Sequence, residues 1–225
     1  HTLCWHDAGS TAAELAEVLG LPNAAPHYAA ARYLLVDVLG VRRRFEYSEL
    51  CEALDHLSTA LMDGEMGDDP QRAFAAVTLL GAPVERMHAL CSLVYEELAA
   101  AVGRAALSGA PVDADLDAVV ADLDADFFDR RRIFVPAQSP GTNDDGGRDQ
   151  RLAGVDAATS AEVPSRFSTS EDVYWFAATA DEEQLAAACG LRAIGPHYPA
   201  ALKAFFTSVV HVPATPRPST SRLIE

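Results

Sequence analysis

The sequence has no CxxC pair, although it contains four cysteines. Cys4, Cys51, Cys91 and Cys189 stand far apart, so neighbours in the chain build neither a zinc ribbon nor a thioredoxin-like motif. Scattered cysteines in helical surroundings read as small buried hydrophobes, which implies a reducing, intracellular compartment, cytoplasm or nucleus. There is no HExxH, no GxSxG and no Cys/His spacing of a nucleophile and its base, so the common local signatures of hydrolases and zinc peptidases are missing. The longest apolar run, Ala73 to Val84, is interrupted by Thr78 and Gly81 and is too short to span a bilayer. Basic charge is scarce: Lys and Arg total 17 against 33 Asp and Glu, a net charge of −16. Such a chain repels phosphate backbones, so neither nucleic acid nor membrane is expected as a partner. The chain opens at His1 rather than Met and shows no signal peptide. It stops at Glu225 within a stretch that reads as helix, which suggests a segment of a larger protein.

What is present is an internal match. Residues 3–33 align without a gap on residues 173–203, at an offset of 170. Trp5 falls on Trp175, Leu15 on Leu185, Gly20-Leu21 on Gly190-Leu191, and Pro26-His27-Tyr28 on Pro196-His197-Tyr198. After one inserted residue, Leu34-Leu35 continues onto Phe205-Phe206, and Val41 onto Val212. Both tryptophans of the chain lie in register, which Ala-rich composition does not explain. Each copy reads as a short extended stretch carrying the Trp, a helix (about 11–19 and 181–189) closed by Gly20 or Gly190, and a second helix opened by Pro26 or Pro196. In the second copy that helix carries Tyr198, Ala201, Leu202, Phe205, Phe206 and Val209 at helical spacing. Gly40 closes it in the first copy, where the second has His211.

Between the copies the periodicity is again helical. Ser48 suits an N-cap for a helix with the stripe Leu50, Cys51, Leu54, Leu57 and Leu61. Met62 to Pro70 reads as a Gly/Asp loop and Pro70 to Leu80 as a short helix. Pro83 opens the longest helix, to about Leu107, whose Val84, Met87, Cys91, Val94 and Leu98 predict lengthwise packing. A further helix carries Leu116, Val119, Val120, Leu123 and Phe127. Ile133 to Val135 predicts a strand that pairs with the one near residue 174, across a disordered Gly/Asp/Ser-rich insertion at about 137–165. The expected architecture is mainly α, a helical repeat-type segment with one small β-hairpin. Its parts are a first copy (1–62), an intervening helical segment (63–130) and a second copy (131–225).

Candidate chemistry is thin. Asp113, Asp115 and Asp117 mimic the start of a calcium loop, but Ala118 replaces the glycine and Asp124 the final Glu, so an acidic helix face is the better reading. Glu85 and His88 form a single ExxH, whereas a di-iron bundle needs two plus further carboxylates. Glu52 and His56, one turn apart, read as a surface pair. Asn143 to Gly147 lacks the strand and helix of a nucleotide loop. The clusters Arg42–Arg44 and Arg130–Arg132 lie at element boundaries, where helix C-termini favour cations. His27 and His197 recur in both copies, which argues for structure, as do Trp5 and Trp175 as core anchors. No catalytic, cofactor-binding or metal-binding residue is assigned.

The second copy resembles a known pattern. It runs Ile133-Phe134-Val135-Pro136, a loop, Ser168 to Trp175, then Gly195-Pro196-His197-Tyr198-Pro199, Leu202, Phe205-Phe206 and Val212 followed by Pro213. This is similar to repeated segments in the C-terminal parts of very large eukaryotic proteins like plant NO VEIN and sacsin, over residues 1–60 and 130–225. Those proteins carry a histidine kinase/Hsp90-like ATPase domain elsewhere. The ATPase motifs do not map here, and His211 and the insertion after Pro136 depart from the pattern. The resemblance implies a non-catalytic scaffold and protein-interaction segment of a chaperone-like protein, with other domains of its own chain and other proteins as partners. The alternatives are an enzyme whose site neighbouring domains complete, and an acidic docking surface for basic partners.

Overall fold

In the computed structural model the described residues are 3–66, 83–107, 114–136 and 165–217. The chain is mainly helical, with two small β elements. The elements in order are α1 (Thr11–Val18), α2 (Ala25–Tyr28), a 3₁₀ turn (Ala29–Ala31) and a π-helical turn (Tyr33–Val38). Then come α3 (Tyr47–Met66), α4 (Pro83–Leu107), α5 (Ala114–Asp129), β1 (Ile133–Val135), β2 (Arg166–Ser168), β3 (Val173–Tyr174), α6 (Ala180–Ala188) and β4 (Arg192–Ala193). A 3₁₀ turn (Ala200–Leu202) and a π-helical turn (Phe205–Val209) follow. Among the described residues no helix is long and apolar enough to cross a membrane.

Helices α3, α4 and α5 form a layer. Leu50, Cys51, Leu54 and Leu57 of α3 are buried, with Met87, Cys91, Val94 and Leu98 of α4 and Leu123 and Phe127 of α5. These belong to the expected stripes, of which Leu61 and Val120 are only partly buried and the side chains of Val84, Leu116 and Val119 fall outside the described residues; burying them supplies the layer's main driving force. Helix α3 begins at Tyr47, so Ser48 lies in its first turn and is not the cap. Instead the Glu49 carboxylate accepts the Glu46 N–H at 2.8 Å, half of a capping box with a Glu in place of Ser. The first part of the loop expected from Met62 is helical, because α3 runs to Met66; its remainder falls outside the described residues, as do the short helix expected over 70–80 and the insertion over 137–164.

The expected pairing of residue 134 with residue 174 is replaced by a nearer one. Strand β1 pairs antiparallel with β2, Phe134 opposite Phe167. Strand β3 pairs parallel with β4, Val173 with Arg192 and Tyr174 with Ala193. The Trp-bearing stretch has the aromatic content of a partner strand, but Arg166-Phe167-Ser168 takes that place, with the Phe167 ring tilted against Phe134 at 5.3 Å.

The two tryptophan-bearing segments carry matching backbone hydrogen bonds. Ala24 N–H donates to Cys4 O, and Ile194 N–H to Tyr174 O. Leu21 donates to Ala16 O and Leu191 to Ala186 O; Trp5 donates to Arg42 O and Trp175 to Pro213 O. Val41 donates to Leu35 O and Val212 to Phe206 O. The 3₁₀ turns Ala29–Ala31 and Ala200–Leu202 also correspond, which puts the inserted residue at Pro199, earlier than the sequence alignment places it. Gly40 has φ 69° and His211 φ 56°, so His211 adopts the left-handed conformation that glycine takes more cheaply. The expected continuous second helix is broken into 3₁₀ and π turns, and Ala201 is exposed while Tyr198, Leu202, Phe205 and Phe206 are buried. Both tryptophans are buried, but Trp5 sits in a small cluster with Ala24 and Ala25, whereas Trp175 joins the main core against Phe206 at 5.8 Å.

Candidate functional site

Two features stand out once the layer is in place. The first is a polar hub inside the core. Strand β1 is paired along one edge only, with β2, and its central residue, Phe134, bonds to two tyrosines. The Tyr95 hydroxyl, from α4, accepts the Phe134 N–H at 2.9 Å and donates to Arg132 O at 2.7 Å. The Tyr198 hydroxyl donates to Phe134 O at 2.6 Å. The two rings meet edge to face at 5.4 Å. Burial pushes both phenols well above their ordinary value, so they remain protonated donors at any ordinary pH and serve as structural ties rather than acids or bases.

Arg132, buried, reaches Asp55 of α3 with Nε and Nη2 (2.9 and 2.7 Å) and Asp126 of α5 with Nη1 at 2.7 Å. Burial raises the Asp55 carboxyl, but the hydrogen bonds and charges of Arg132 and Arg130 outweigh it and hold the group below the usual range. The expectation that Arg130–Arg132 merely favours a helix end is therefore corrected for Arg132, which joins two helices to the strand. Desolvation leaves a buried guanidinium stable only when carboxylates surround it.

The remaining candidates take ordinary places. His56 lies 3.7 Å from Glu52 on the surface. His88 Nε2 meets His197 O at 2.8 Å, and its ring tilts over Tyr198 at 5.0 Å, so His88 is engaged with the second segment, while Glu85 is exposed. His197 is half-buried and its pKa is lowered by burial and then by His88; His27 is exposed, so the two recurring histidines differ in surroundings. Arg42 pairs with Glu46 and Glu49. Burial raises the Cys4, Cys51 and Cys91 thiols, and none of the four cysteines is in a disulfide. Asp113 and Asn143 to Gly147 fall outside the described residues, as do the side chains of Asp115 and Asp117. Among the described residues no group of three or more His, Cys, Asp and Glu is placed to hold a metal.

The second feature is an uncovered apolar face on the first segment. Tyr28 is 57% exposed and its counterpart Tyr198 5%; Leu34 is 51% and Phe205 4%; Leu39 is 63% and Val210 0%. The reverse holds on the opposite side, where Leu15 is 0% exposed and Leu185 43%. The helical layer thus covers different sides of the two segments. α1 packs on α4 and α3 through Leu15, whereas α4 and α5 pack on the second segment's 3₁₀ and π turns. Sequence reasoning could not see this asymmetry, because the stripe residues are apolar in both copies.

Compared with protein-family models, curated proteins and solved structures, the chain shows no match.

Proposed function

We propose that this chain is a non-catalytic helical scaffold and protein-interaction segment. The exposed large apolar side chains of one short stretch, Tyr28, Tyr33, Leu34, Val38 and Leu39, carry the reading, since grouped exposed apolar residues mark interaction sites. The hub supports it: Tyr95, Tyr198, Arg132 and Asp55 are engaged in tying α3, α4, α5 and β1 together. The resemblance to NO VEIN- and sacsin-like proteins extends the proposal to a chaperone-like parent in which this segment links other domains. Calorimetric titration of the chain with ATP–Mg²⁺, Ca²⁺ and Zn²⁺ tests it. No stoichiometric binding is expected. Micromolar binding near one equivalent, lost on changing Asp113 and Asp115 or His27 and His197, overturns it.

A further inference from the structure

We infer that the face formed by Tyr28, Leu34, Val38 and Leu39 docks an amphipathic helix with an apolar-aromatic stripe and an acidic flank. It stands to the first segment as α5 stands to the second. The inference rests on the interaction reading above and adds the chemistry of the partner.

The argument starts from the matching hydrogen bonds, which place Leu34, Val38 and Leu39 where the second segment has Phe205, Val209 and Val210. In the second segment that side is covered. Phe127 of α5 meets Phe205 edge to face at 6.2 Å, and Asp124 of α5 pairs with His211 at 2.8 Å. The same backbone in the first segment presents the same side to solvent. Charge selects the partner. In a chain of net charge −16, Arg32, Arg43 and Arg44 flank this stretch in sequence and are exposed, against one exposed carboxylate within it, Asp37. An acidic helix of the α5 kind complements them. A second copy of the chain docked through this face would set the arginines against themselves across a two-fold axis.

Fluorescence anisotropy of a labelled peptide of residues 114–129, titrated with the full 225-residue chain, tests the inference. Saturable binding is expected, weakened by added salt and by Phe127→Asp in the peptide. The pair Leu34→Asp and Leu39→Asp in the chain should weaken it at least about tenfold. Both positions are exposed, so circular dichroism should be unchanged. Leu185→Asp, on the other uncovered side, should leave binding intact. Absence of binding overturns the inference, as does binding indifferent to Leu34→Asp and Leu39→Asp. Concentration-dependent dimers abolished by those substitutions overturn it in favour of a second copy. The ligand titrations of the previous subsection report separately: a chain that binds neither the peptide nor ATP–Mg²⁺ or metal loses only its helical partner, whereas one that binds ATP–Mg²⁺ loses the scaffold reading.

Discussion

Replacing Tyr95 by Phe removes one oxygen and nothing else. The ring keeps its contacts with Phe127, Tyr198 and Phe206, so no cavity opens. What is lost is a bridge. The hydroxyl accepts from Phe134 N and donates to Arg132 O, and Phe134 and Arg132 are both buried. Each bond contributes about 1 kcal/mol net, and a buried N–H left without an acceptor costs about 1–3 kcal/mol. Tyr95→Phe should therefore destabilise the chain by about 2–4 kcal/mol, a large share of the roughly 5–15 kcal/mol typical of a domain. Urea unfolding followed by the fluorescence of Trp5 and Trp175 measures it. Tyr33→Phe, at an exposed position, should stay within about 0.5 kcal/mol. Tyr198→Phe orphans only a carbonyl and should cost less, about 1–2 kcal/mol. Because both hydroxyls hold Phe134, the double substitution should depart from the sum by more than about 0.5 kcal/mol. A Tyr95→Phe chain within about 0.5 kcal/mol of the parent would refute the view that β1 depends on this hydroxyl.

Arg132→Met should destabilise by about 2 kcal/mol in the same assay, less than a fully buried pair because Asp55 and Asp126 are partly exposed; an unchanged urea midpoint would contradict the hub. Burial, then Arg42, lowers the His6 pKa, and burial, then His88, that of His197. The unfolded chain takes up these protons first, so the associated stability is present above about pH 6.5 and shrinks as pH falls toward the folded values. The urea midpoint should fall between about pH 7.5 and about pH 5.5, and His6→Phe with His197→Gln should flatten that fall. Gly40→Ala meets no neighbouring atom and should cost only the left-handed backbone, about 1–2 kcal/mol. Gly195→Ala should cost more in parallel melts, because its Cβ would run into the Trp175 carbonyl.

The helical stripes were legible because burial imposes a period of 3.6 residues, and Leu54, Leu57, Cys91, Val94, Leu123 and Phe127 follow it. The β pairing was not. Arg166-Phe167-Ser168 is three residues long and has no alternation to detect, and only the proximity of Phe134 gives it a partner. The second helix of each copy was misread for a related reason. Its apolar spacing is helical, but the backbone takes 3₁₀ and π turns in both copies, with and without Pro199, and leaves them through the left-handed Gly40 and His211. The hub was invisible for another: Tyr95, Arg132, Asp55 and Tyr198 are distant in sequence, and each alone reads as an ordinary helix or boundary residue.

The opposed burial of Leu15 and Leu185, and of Leu34 and Phe205, connects these findings. A helical layer that packed on the same side of both segments would have produced a closed, two-fold-like body with its apolar surface spent. Instead α4 meets Leu15 on one side of the first segment, while α4 and α5 meet Tyr198, Phe205 and Val210 on the other side of the second. That arrangement leaves a different apolar face of each segment uncovered. Tyr28, Leu34 and Leu39 form one such face, and Phe176 and Leu185 lie at the other. His6, the counterpart of Phe176, shows what covering means there, since it is buried and stacks on Phe45 at 4.5 Å. The asymmetry follows from which residues α3, α4 and α5 select, because the backbone of the two segments is hydrogen-bonded alike.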